Sequence, residues 1–88
     1  MRTFTLRKVD PMTLTSIDLY EEAMTSIDNP TLEAYVVEFN DEGERAEVLY
    51  FGDRDIAGVA WGADPTWHEG VHSAQEACER EFGDGTEA

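Results

Sequence analysis

Two histidines stand four residues apart in the run His68-Glu69-Gly70-Val71-His72, with a glutamate beside the first. On a helix this spacing sets both imidazoles on one face, where they can share a zinc ion while the glutamate acts as base toward a metal-bound water. Glu76, one turn further, is placed to complete a three-ligand set. Cys78 is the other residue with nucleophilic potential, but it falls on an apolar stripe, where a thiol is packing material. No glycine-rich phosphate loop follows a strand. Carboxylates number twenty, so pairs of them at catalytic separations carry no information.

In these five residues the chain resembles the zincin metallopeptidases, and the resemblance implies a zinc-dependent hydrolase using His68, His72 and Glu69. The surrounding sequence departs from that pattern. Pro65 puts the pentapeptide in the first turns of its helix, where the positive end of the dipole disfavours a cation. The extended metzincin form needs glycine at Gln75 and histidine at Cys78, and 88 residues leave little room for a substrate cleft. The sequence therefore predicts no enzyme, no catalytic residue, no metal and no cofactor. His68 and His72 are expected as exposed helix residues beside a buried Trp67 and Val71.

The elements that would position these residues follow from hydrophobic periodicity. Arg2 to Val9 alternates and predicts a strand. Asp10-Pro11 supplies a cap and a first-turn proline, so a helix is expected there, with Leu14, Ile17, Tyr20, Met24 and Ile27 as its apolar stripe and Asp28-Asn29-Pro30 as its stop. Leu32 to Phe39 and Arg45 to Phe51 are strands of a hairpin around Gly43. With Asn40 facing Glu44, Val36 lies opposite Val48 and Ala34 opposite Tyr50. Ile56 to Ala63 is a further strand. Asp64-Pro65 repeats the cap signal, and Trp67, Val71, Ala74, Cys78 and Phe82 then recur at helical spacing up to Gly83.

The fold class expected is α+β, with about four antiparallel or mixed strands and two helices on one face, in the order β-α-β-β-β-α. Residues 1–83 form one acidic domain and residues 84–88 a flexible acidic tail. The helix-facing core is expected to draw on Phe4, Leu6, Ile17, Met24, Val36, Val48, Trp67, Val71, Ala74 and Phe82. The opposite side of the hairpin then carries Tyr35, Phe39 and Phe51 among Glu33, Arg45 and Glu47, a mixture that suits a contact surface for a partner or a second copy.

Charge decides which partners are admissible. Twenty acidic side chains against six basic ones give a net charge of -14, and Arg2, Arg7 and Lys8 are all at the N-terminus. Direct nucleic-acid binding is excluded because phosphate contacts need clustered cations, and anionic membranes are disfavoured for the same reason. No apolar run reaches membrane-spanning length, the N-terminus lacks a signal-peptide pattern, and the single cysteine rules out an internal disulfide; a cytoplasmic location is expected.

In charge and size the chain resembles the small acidic DNA-mimic proteins of phages, including anti-CRISPR and anti-restriction proteins. That likeness implies a basic, nucleic-acid-binding protein as partner. The expected acidic face comprises Asp18, Glu21 and Glu22 on the first helix with Glu38, Asp41, Glu42 and Glu44 around the hairpin tip. The alternative is adaptation to high salt, for which five arginines against one lysine speak, with the aromatic sheet face as the binding or dimerising surface.

Overall fold

The computed structural model describes residues 4–15, 31–39, 45–61, 65–83 and 86–87. It is a small α+β fold built on one sheet, formed by β1 (Phe4–Val9), β2 (Leu32–Phe39), β3 (Arg45–Phe51), β4 (Ile56–Ala60), β5 (Pro65–Glu69) and a two-residue β6 (Thr86–Glu87). The order across the sheet is β5-β4-β3-β2-β1-β6. All pairings are antiparallel except that of β6 with β1, which is parallel. Among the described residues one α-helix, α1 (Ala74–Phe82), packs on β3 and β4. Among the described residues no helix is long and apolar enough to cross a membrane.

The sequence locates the first four strands to within a few residues, because their alternation is strong. Its two helix starts are both corrected. At Asp10 the cap forms, with its carboxylate accepting the Met12 amide at 2.9 Å, but Pro11–Thr13 makes a single 3-10 turn and Leu14 is already extended, with ψ 133°. Residues 16–30, which hold the rest of the expected first helix including Ile17 and Met24, lie outside the described residues.

At the second site Pro65 opens a strand instead of a helix. Proline is tolerated at the first residue of a strand, and Thr66 and Trp67 are good strand formers. Helix α1 begins only at Ala74, capped by Ser73, whose hydroxyl accepts the Glu76 amide at 3.0 Å. Glu76 reaches back to the His72 amide at 3.1 Å, a capping box displaced by one residue. That bond is the first cause holding the Glu76 carboxyl below the usual range, with the charges of His72 and Arg80 adding to it.

The hairpin register is also corrected. Tyr35, not Val36, lies opposite Val48, Ala34 opposite Leu49, and Glu38 opposite Arg45. A shift of one residue sends every β3 side chain to the other face relative to β2. The helix-side core therefore gathers Phe4, Leu6, Val37, Phe39, Val48, Val59, Val71 and Cys78. A second core on the reverse face gathers Leu14, Leu32, Ala34, Val36, Leu49 and Phe51. Both faces of β3 are thus covered, which explains a strand buried from Ala46 through Phe51. Of the single core expected, Val36 belongs to the reverse cluster and Trp67 is 44% exposed.

Beyond Gly83, where an acidic tail is expected, the backbone of Thr86–Glu87 runs beside Thr5 and Leu6 of β1.

Candidate functional site

The His68-Glu69-Gly70-Val71-His72 run is strand and turn, not helix. His68 and Glu69 end β5, Gly70 takes φ 70°, and Val71 turns inward with its amide on the Asp55 carbonyl at 3.0 Å. Asp55 itself is left-handed at φ 54°, a conformation aspartate tolerates. The two imidazoles are directed to different carboxylates. His68 Nε2 lies 2.8 Å from Glu81 Oε1 in a largely buried pair, whereas His72 is exposed with Nδ1 3.5 Å from Glu76 Oε2. Arg80 fixes the turn by donating to the carbonyls of Glu69 at 2.7 Å and Gly70 at 3.1 Å. Among the described residues no group of three or more His, Cys, Asp or Glu side chains is arranged to hold a metal ion.

The side chain that the sequence reading passed over is Glu47. It sits mid-β3 on the reverse face, only 7% exposed. Its Oε2 accepts the Thr15 amide at 3.0 Å, and both oxygens lie 3.1 Å from the Thr15 hydroxyl. A carboxylate is retained at such a position only with compensating donors. Here Thr15, just past the 3-10 turn, supplies them. A cavity of about 410 Å³ adjoins the pair, lined by Thr15, Arg45, Ala46, Glu47 and Ala60. One carboxylate already bonded to a backbone amide is suited to holding a chain segment in place rather than to proton transfer. Glu47→Ala leaves the Thr15 amide without this acceptor and is expected to cost about 1–3 kcal/mol, read as a lowered urea midpoint. An unchanged midpoint would show that the bonds to Thr15 contribute nothing.

The expected aromatic face is divided by the register. Tyr35 and Phe39 stand on the helix side and Phe51 on the reverse side, with Phe39 3% and Phe51 2% exposed. The Tyr35 hydroxyl donates to Glu33 Oε1 at 3.1 Å. Among the described residues the exposed large rings are instead Trp61 and Trp67, at 38% and 44%. Trp67 tilts over Phe51 at 6.1 Å and Trp61 stands edge-on to Phe39 at 5.1 Å. Of the expected acidic face, Glu38 is exposed and 3.4 Å from Arg7. Asp18, Glu21, Glu22, Asp41, Glu42 and Glu44 lie outside the described residues.

Four of the five described Lys and Arg side chains are engaged within the fold. Arg7 meets Glu38, Lys8 meets Glu33 at 2.9 Å, Arg80 meets Glu76 at 3.1 Å, and Arg54 lies over the Phe51 ring at 6.0 Å. Exposed pairs of this kind add little stability. Their consequence is electrostatic: basic groups are neutralised locally while the carboxylate surplus remains. Comparison with models of known protein families, with curated proteins and with solved structures finds no match to this chain, so its function has to be argued from these residues.

Proposed function

We propose that the chain is an acidic interaction module that acts by binding, its carboxylates taking the place of phosphates in the basic groove of a nucleic-acid-binding protein. The observation that carries this is the net charge of -14 together with the pairing of Arg7, Lys8 and Arg80 to glutamates. A surface of one dominant sign steers an oppositely charged partner and rejects polyanions. The strand-and-turn conformation of the His68 to His72 run, with each imidazole on its own glutamate, supports binding over hydrolysis.

The test is capture from a host extract followed by a salt titration of the complex. A nucleic-acid-handling protein is expected, held more weakly as salt rises. Neutralising Asp18, Glu21, Glu22 and Glu38 to Asn or Gln should leave the fold intact and slow association at low salt by about tenfold or more. Equal binding by the wild-type and neutralised proteins, or capture of no nucleic-acid-handling protein, would overturn the proposal. A second reading, adaptation to high salt, is favoured by the single lysine against five arginines. It requires a melting temperature that climbs steeply in multimolar salt, which the first reading does not.

A further inference from the structure

Strand β5 is held differently from its neighbours. None of its five residues is buried, whereas four of five in β4 and six of seven in β3 are. A strand that covers so little apolar surface loses little on leaving the sheet, because burial is the main favourable contribution to folding. We propose that β5 is a latched strand: it opens from β4 as a unit about Gly70 while the rest of the domain stays folded, and the last turn of α1 is its latch. The inference stands apart from the acidic-module reading and concerns the motion of the fold itself.

The latch consists of two consecutive side chains. Arg80 donates to the Glu69 carbonyl at 2.7 Å and to the Gly70 carbonyl at 3.1 Å, and Glu76 Oε1 holds the same guanidinium at 3.1 Å. Glu81 Oε1 lies 2.8 Å from His68 Nε2. Residues 68–70 are thus gripped by side chain and by backbone from a single helical turn. These contacts are polar, and water replaces them at small net cost when a segment swings out. On the reverse side Trp67 rests over Phe51 at 6.1 Å and still remains exposed.

The hinge is marked in the backbone. Gly70 takes φ 70°, and a Cβ placed there would meet nothing within 4 Å, so conformation and not space calls for glycine. The next residue, Val71, is fully buried in the helix-side core, with its amide on the Asp55 carbonyl at 3.0 Å. Movement that begins in β5 therefore stops at Val71. What opening uncovers is the β5-facing edge of β4, Ile56-Ala57-Gly58-Val59-Ala60, a strand without a charge in a chain of net charge -14.

Hydrogen exchange of the full chain in sub-denaturing urea tests this amide by amide. The β5 amides bonded to β4 are expected to share one opening and to exchange about a hundredfold faster than the amides bonded between β2 and β3, with the Val71 amide in the slow class. Arg80→Met, which keeps the stem and removes the donors, and Glu81→Ala should each speed β5 exchange by about tenfold and leave β2 and β3 unchanged. Protection of β5 equal to that of β3 in the wild type would overturn the proposal. So would unrelated exchange rates along β5, or variant effects that are absent or spread evenly over the sheet.

Discussion

Phe39→Ala is expected to lower the stability of the domain by about 3–5 kcal/mol, a large share of the roughly 5–15 kcal/mol available to a fold of this size. The ring is enclosed between sheet and helix. It stands edge-on to Phe4 at 6.3 Å, Trp61 at 5.1 Å and Phe82 at 4.8 Å, so it joins β1, the end of β4 and the last turn of α1. Truncation opens a cavity that a paired strand and a capped helix cannot collapse to fill. A drop in melting temperature of about 12–40 °C follows from the usual scaling for small domains, monitored by tryptophan emission because Trp61 borders the lost ring. Had Phe39 belonged to an exposed contact face, as the alternation of β2 suggests, its truncation would leave the melt almost unchanged and weaken binding instead. A melting temperature within a few degrees of wild type would therefore refute the observed packing.

The second large effect concerns Cys78, which is fully buried on the sheet-facing side of α1. Burial, reinforced by the charges of Glu81 and Glu79, pushes its thiol up from 9.0 to about 12. Near neutral pH the thiolate fraction is then about a thousandfold below that of an ordinary cysteine, and iodoacetamide should label the folded protein no faster than it unfolds. The same shift makes stability depend on alkaline pH. A group whose pKa is raised by folding keeps its full contribution below its unfolded pKa and loses it as the pH climbs through the folded value. Stability should hence fall between about pH 9 and 12, by up to about 4 kcal/mol. Tyr50 shifts in the same sense, first through burial and then through the charges of Asp55, Glu33 and Glu76. Urea midpoints of wild type and Cys78→Ala at pH 8 and 10.5 isolate the thiol, since the variant should show a shallower alkaline slope. Native labelling at the rate of a free thiol, or identical slopes, would refute it.

Strand positions were legible in the sequence because β1 to β4 each combine apolar residues with β-branched or aromatic neighbours between clear turn residues. Register was not. A slip of one residue decides whether Val48 faces Val36 or Tyr35, and alternation within each strand is the same in both cases; the observed pairing sets Tyr35 opposite Val48 and Glu38 opposite Arg45. The error had a functional price, for it assembled Tyr35, Phe39 and Phe51 into one face. Trp67, Val71 and Ala74 fit a helical stripe by spacing alone, yet a strand, a glycine turn and a helix start place Trp67 outside and the other two inside. Ser73-Ala74-Gln75-Glu76 carries the capping pattern that marks the true start, and Pro65 masked it by offering the same signal earlier. Glu47 was read as part of a charged outer face because the donor that satisfies it, Thr15, is 32 residues away in the chain.

Because β6 lies against β1, the first and the last described strands emerge side by side at one margin of the sheet. With neighbouring strands about 4.8 Å apart, β5 lies some four to five strand spacings, about 19–24 Å, from either of them. A probe attached beside either of these two strands would therefore sit at the margin of the sheet farthest from β5.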